Sequence, residues 1–351
     1  MKKLLHTFLF LFLLIHFLMD NTSASEPNLF SDFSQSEELA LMPLYNLSGR
    51  SNAIRETSEK IGTILDSFGI QYKRSSDIRP ILRKYRIRSS GSLKAEDIDQ
   101  LRTELNVKYL MLGSVNIYED RANPELSVSL RIINTETYMI ESAVSKSASG
   151  RDFEGLFGLG VISVLDELSD KLLFESLNEL FSDLEAHESE QKPSAVIIPF
   201  DNTTDFRNAG FILTNIFLTS LANDGYKVLE PGIVTEYMLR NRKILYGGID
   251  YPTLDMLNAK HDIDLIVTGS IEFYQPSRGN NFPKAEIGTR VLDAKNAKII
   301  FMYNNSVNGA DSEALFGVGK KYSVGTIMKE YIDDFESKFK KKSEKYFAQK
   351  K

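Results

Sequence analysis

The chain repeats itself, and this limits what it can fold into more than any single motif does. At an offset of 156 residues, LMPLYNLS (Leu41 to Ser48) lies over IIPFDNTT (Ile197 to Thr204), with Pro43 over Pro199 and Asn46 over Asn202. The same ungapped offset superposes Leu65 on Leu221, Gly69 on Gly225, Gly91 on Gly247, Leu101 on Leu257 and Tyr118 on Tyr274. Within it LMLGSV and IVTGSI coincide, so Gly113 and Ser114 meet Gly269 and Ser270. Beyond Tyr118 the offset becomes 159, as a hairpin loop three residues longer in the second copy would produce. Arg131 then matches Arg290, Asn134 matches Asp293, and LFGLG (156–160) matches LFGVG (315–319). Glycines and apolar positions that recur at low identity are the mark of one fold used twice.

Between the copies, EAHESEQKPS is polar, charged and closed by Pro193, which is linker chemistry. Copy one is expected over 37–184, the linker over 185–193, copy two over 194–340, and a lysine-rich solubilising tail over 341–351. A chain of 351 residues fits two domains of ordinary size.

Each copy reads as α/β. In the second, AVIIPF is a short buried strand stopped by Pro199, and DNTTDFRNAG is a turn with capping residues. GFILTNIFLTSLAND then carries Phe211, Ile212, Ile216, Phe217 and Leu221 at helical spacing, and YKVLEP reads as a second strand. Strand, helix and strand make a right-handed crossover with parallel strands. Two short helices follow, the later one opening at Pro252, and then three strands that read as an antiparallel meander. A helix with Val324, Ile327, Met328, Tyr331, Ile332 and Phe335 on one side closes the unit, as Leu165, Leu168, Leu172, Leu173 and Leu180 close copy one. The expected fold is two tandem mixed sheets, each a parallel crossover unit plus a meander, covered by helices.

The first residues have the layout of a secretory leader: Lys2 and Lys3, an apolar run from Phe8 to Met19, and small residues before Ala24. Cleavage is expected after Ala24, with a retained anchor as the alternative, and the mature protein is expected in the periplasm. Losing two lysines and Asp20 from 42 basic and 48 acidic side chains leaves 40 against 47, a net charge of −7. With no basic stripe, nucleic acid is not an expected partner. There is no cysteine, which removes an acyl anchor, zinc fingers, iron-sulfur clusters and thiol nucleophiles.

No catalytic signature stands out, and no cofactor or metal is expected. GVGKKYS (317–323) misses a phosphate loop, because Ala314 stands where Gly is required and Lys321 where Ser or Thr is required. After the leader only His187 and His261 remain, too few for a zinc site or a triad built on His261 alone. Asp99 and Asp255 match between the copies and read as the polar face of a helix. Asn46 and Asn202 follow the first strand, where such a side chain bonds the backbone of the next turn, a ligand or partner contact being the alternative. Gly113 and Gly269 read as places where the central strand bends or a helix rests against it.

The series formed by an apolar run, P-[FL]-x-N-x-[ST], a helix with L-x-x-x-G, two short helices and an apolar run ending G-S-[VI] resembles the TolB amino-terminal domain. It also resembles the related CsgG-like domains, among them FlgO-like and LpoB-type envelope proteins. SLKAEDIDQLRTELNVKYLMLGSV (92–115) carries the likeness best. The family often has Thr-Gly after the meander's D-x-x motif; Thr137-Tyr138 and Asn296-Ala297 stand there instead, so these hairpins are expected to turn differently. The loops Glu119 to Glu125 and Gln275 to Pro283 are too short for the membrane hairpins of a pore.

The resemblance implies an exported, non-enzymatic envelope protein that binds other envelope proteins as an adaptor or assembly and secretion factor. Peripheral contact with the outer membrane and a homo-oligomer are compatible with it. The alternatives are a carboxylate-dependent hydrolase or a periplasmic binder of a small ligand in the cleft between the copies. The structural motif common to both copies is Pro43, Asn46, Gly113 and Ser114 in one and Pro199, Asn202, Gly269 and Ser270 in the other.

Overall fold

Short apolar segments that end in proline form the parallel core of each sheet. In the computed structural model, which describes residues 38–88, 90–155, 159–186, 192–240, 251–279, 281–311 and 319–348, strand β1 (Leu39–Leu41) is buried throughout. It pairs in parallel with β3 (Tyr72–Lys73) on one side and β4 (Tyr109–Glu119) on the other. Pro43 ends that ladder, and the two-residue β2 (Tyr45–Asn46) rejoins β4 further along. β4 then starts a meander with β5 (Glu125–Asn134) and β6 (Ile140–Ser149), both pairings antiparallel. Helices α1 (Ala53–Ser67), α2 (Ser75–Tyr85) and α3 (Ala95–Leu105) lie between these strands in sequence, and α4 (Leu165–Ala186) follows them.

The second half repeats the plan. Its elements are β7 (Ser194–Ile197), β8 (Asp201–Asn202), α5 (Ala209–Asn223), β9 (Lys227–Val228), α6 (Pro231–Arg240) and α7 (Tyr251–His261). The meander β10 (Leu265–Gln275), β11 (Lys284–Asp293) and β12 (Ile299–Asn308) follows, and α8 (Val324–Ala348) closes the unit. Strand order is β3-β1-β4-β5-β6 in sheet one and β9-β7-β10-β11-β12 in sheet two, with β2 on β4 and β8 on β10. The fold is therefore α/β with two tandem mixed sheets.

Irregularities repeat as well. A bulge at Asn116 of β4 recurs at Glu272 of β10, and the shift after Ile132 recurs after Val291. Left-handed backbone recurs at Gly69 and Gly225, Asn106 and Asp262, Tyr138 and Ala297, and Gly160 and Gly319. Thus the two hairpins expected to turn differently share the left-handed residue a glycine would supply, at φ 61° in Tyr138 and 55° in Ala297.

Two other expectations need correction. The bulge lies three residues beyond each glycine, and the atoms nearest to where a Cβ would stand belong to no helix. A Cβ on Gly269 would lie 2.0 Å from the Gly288 carbonyl and 2.6 Å from the Phe200 ring. On Gly113 it would meet Leu130 and Leu44, the latter being the counterpart of Phe200. The loop residue after the first strand folds over the central strand, and only glycine leaves room for it. Secondly, Asn208 precedes α5 without capping it; its Nδ2 donates to the Leu47 carbonyl of copy one at 2.7 Å. YKVLEP contributes only the two residues of β9 to the sheet.

Four layers result. α1 and α4 cover one face of sheet one, and α5 and α8 lie between the two sheets. This explains why α5 is apolar nearly all round: Ile212, Leu213, Ile216, Phe217, Leu218 and Leu221 are all buried. The expected leader (1–24), residues 187–191 of the expected linker with His187, Gly247, Leu156 to Gly158, 315–318 and 349–351 lie outside the described residues.

Candidate functional site

A groove of about 600 Å³ opens where the copies meet, beyond the ends of their first strands. Its walls come from four places: Tyr45 and Leu47 after β1, the segment Gly91 to Asp97, the exposed side of α5, and α6. Three large apolar side chains stand open to solvent around it, Tyr45 at 40%, Phe211 at 54% and Leu239 at 66% exposure. Phe211 is exposed because α5 turns its other apolar side chains into the core.

One buried ion pair holds these walls together. Arg131 of β5 donates from Nε and Nη2 to the two carboxylate oxygens of Glu230, at 2.9 and 2.8 Å, and both side chains are almost wholly inaccessible. Arg131 Nη2 also donates to the Gly91 carbonyl, and the Leu93 N–H donates to Glu230 Oε1. Glu230 immediately precedes α6. The bidentate pair therefore ties α6 of copy two to β5 and to the 91–93 loop of copy one, in the geometry that makes such pairs directional.

The charges lining the groove are neutralised within it. Lys94 lies 3.6 Å from Asp97, and Arg240 lies 2.6 Å from Glu236. Burial raises the Asp97 carboxyl above its ordinary value, with Lys94 acting against that shift. Beneath the groove, Asn215 of α5 donates to Ser114 Oγ at 3.0 Å, and Ser114 donates in turn to Asn116. The arrangement offers apolar contact area and a few fixed polar groups; no nucleophile and base converge on it.

The residues singled out by sequence fall mostly elsewhere. Pro199 lines the groove, and Ser114 lies beneath it through Asn215. Asn46 accepts from the Gly49 N–H and donates to the Arg50 carbonyl, while Asn202 accepts from the Thr204 N–H and donates to the Phe206 carbonyl. Pro43 closes β1, Gly113 and Gly269 admit Leu44 and Phe200, and Ser270 donates to Glu272. Asp99 is held by Arg102 and the Tyr138 hydroxyl, and Asp255 is exposed.

His261 sits between the rings of Tyr138 and Tyr237, and burial lowers its pKa. Lys321 donates its backbone N–H to Gly309, and Lys320 lies over the Phe282 ring. Among the described residues no three His, Cys, Asp or Glu side chains stand close enough to hold a metal, and no helix is long and apolar enough to cross a membrane.

No family model matches the chain, and no curated protein does. Solved structures with a similar fold include the PelC dodecamer from Paraburkholderia phytofirmans (14% identity, 42% of this chain and 89% of that one, TM-score 0.31). Lipoprotein GNA1162 from Neisseria meningitidis is similar at 15% identity over 42% of this chain and 99% of that one, with a TM-score of 0.29. The LpoB C-terminal domain from Escherichia coli is similar at 11% identity over 35% and 87%, with a TM-score of 0.25. Each likeness spans less than half of the chain, at scores that fix neither family nor activity.

Proposed function

We propose that this is an exported, periplasmic adaptor that binds other envelope proteins through the groove between two TolB-N/CsgG-like units, 37–184 and 194–340, without turning over a substrate. The observation that carries the reading is the groove itself: exposed Tyr45, Phe211 and Leu239 surround charges that already neutralise one another. Exposed apolar side chains beside polar groups that are already satisfied supply the kind of contact area in which protein interfaces concentrate their energy. The groove's carboxylates Asp97 and Glu236 each lie beside a cation, Lys94 and Arg240. Of the shared motif Pro199 lines the groove, while Pro43, Asn46, Gly113, Ser114, Asn202, Gly269 and Ser270 shape the fold in this reading.

The test is capture of partners by cross-linking in cells of the source organism, comparing the parent with Phe211→Ser and Leu239→Ser. Each change is expected to weaken the captured complex by about 2 kcal/mol, roughly thirty-fold, as for a central interface residue. Unchanged capture by the double variant would remove the groove from the interface, and recovery of no envelope partner would sink the adaptor reading. The groove's volume also lies in the range of small-molecule sites. A thermal shift with an apolar metabolite, lost in Phe211→Ser, would favour the small-ligand reading instead.

A further inference from the structure

The joint between the copies has a direction. On one side α5 and α8 cover their own sheet two; on the other they cover the face of sheet one that α1 and α4 leave open. In consequence β5 is buried on both faces, whereas its counterpart β11 alternates between buried and accessible residues. The sheet edges follow the same relation. Met139, just before β6, forms an isolated antiparallel bridge with Leu229, just after β9, and the Glu230 N–H donates to the Tyr138 carbonyl at 3.1 Å. Copy two is thus seated on copy one head to tail. Interfaces of this kind generate rings or filaments when they repeat. One end of the molecule presents the open face of sheet two and the edge of β12. The other presents the outside of α1 and α4 and the edge of β3.

The duplication shows what would meet if a second molecule docked by the same relation. Met139 and Leu229, an apolar pair at the joint, correspond to Lys298 and Lys73 at the free ends. Arg131 and Glu230 correspond to Arg290 and Arg74. Glu125, whose Oε1 accepts from the Val324 N–H at the start of α8, corresponds to Lys284, which would face the start of α4. Gly325, where a Cβ would lie 2.2 Å from Ser147 Oγ, corresponds to Asp166, which would be pressed on Ser306.

Each of these four contacts is therefore reversed or lost. An apolar pair becomes two lysines, and lysine on a strand edge opposes pairing. An ion pair becomes two arginines, a carboxylate at the positive end of a helix becomes a cation, and the one residue that fits becomes an aspartate.

We propose that the chain uses this head-to-tail joint once, internally, and that Lys73, Arg74, Asp166, Lys284 and Lys298 bar a second copy from repeating it. The test converts the free ends into the residues of the joint: Lys73→Leu, Arg74→Glu, Asp166→Gly, Lys284→Glu and Lys298→Met in one full-length chain. Light scattering should give the parent the mass of a single chain across about 1 to 100 μM, and the variant at least twice that mass, rising with concentration. Restoring Arg74 in the variant should weaken its association at least tenfold.

A smaller change, Arg290→Glu with Lys298→Glu, supplies a complement to Arg74 and Lys73 by altering exposed positions alone, and should associate more weakly but detectably. The proposal is overturned if the parent forms assemblies that Ser306→Arg abolishes. It is equally overturned if both variants, with the parent's circular dichroism, keep the mass of one chain.

Discussion

Ala297 holds φ at 55° without the short polar side chain that eases the left-handed region for Asn106 and Asp262. Ala297→Gly is therefore expected to stabilise the protein by about 1 kcal/mol, since relief of the strained conformation outweighs the added freedom of the unfolded chain; a lower urea midpoint would contradict this. Gly269 presents the opposite case. Its missing Cβ would collide with a backbone carbonyl, that of Gly288, whereas the nearest obstacle at Gly113 is the end of the Leu130 side chain, which can move. Gly269→Val should cost about 1 to 3 kcal/mol by overpacking, and Gly269→Ala should cost more than Gly113→Ala in the same denaturation series. Equal costs would show that the carbonyl yields as easily as a methyl group. The offset of the repeat made both glycines visible in the sequence. What presses on them was not visible, because Phe200 and Gly288 are brought to Gly269 only by loop closure and strand pairing.

At the scale of elements, the start of α8 is held by two carboxylates of copy one, the buried Glu125 and the half-buried Asp152. Glu125 accepts from the Val324 N–H, and Asp152 accepts from the Tyr322 N–H at 2.7 Å. Burial raises both, Glu125 to about 7 against an ordinary 4.5, with Ser323, Arg121 and the Val324 N–H acting the other way. Burial also raises Glu336, half-buried on α8, to about 7. A carboxyl with a raised folded pKa contributes stability that is complete below its unfolded pKa and is lost as pH rises through the folded one. Stability is therefore expected to fall between about pH 4.5 and 7, by up to about 3 kcal/mol for Glu125. Exposed carboxylates held low by lysine, such as Glu96 and Glu104, oppose this only weakly. The gap between melting temperatures at pH 5 and pH 8 should narrow in Glu125→Gln, with Glu336 keeping part of it; a parent with no difference between them would refute the assignment. The helices themselves were legible, since periodicity marks α4 and α8 correctly. For α5, Phe211, Ile212, Ile216, Phe217 and Leu221 fall at helical spacing, and a helix apolar nearly all round belongs between two layers. That signal was present in the sequence, while the identity of the second layer, the sheet of copy one that contains β5 and β6, was not.

For the whole molecule, the duplication predicts two units, yet the packing joins them. One continuous set of buried side chains runs from Ile98 and Leu112 in copy one through Phe217 and Tyr331 to Ile287 in copy two. Neither half could expose that surface and remain stable, because the face of α5 in line with Asn208 and Asn215 would turn Ile212 to water. The buried Arg131–Glu230 pair adds a second condition, since removing one partner strands a desolvated charge at a cost of about 3 to 5 kcal/mol. The linker should therefore be dispensable. A chain with a protease site inserted at 187–191 and cut there is expected to elute as one particle and to unfold in a single transition. Glu230→Ala in the cut chain should weaken the association of the halves at least a hundred-fold. Replacing both partners by apolar residues of similar volume, Arg131→Met with Glu230→Leu, should restore most of it, since no unpaired charge is then left behind. Halves of the cut parent that separate in native buffer would show that the copies are independent domains tethered by the chain, and the groove between them would then lose its fixed shape.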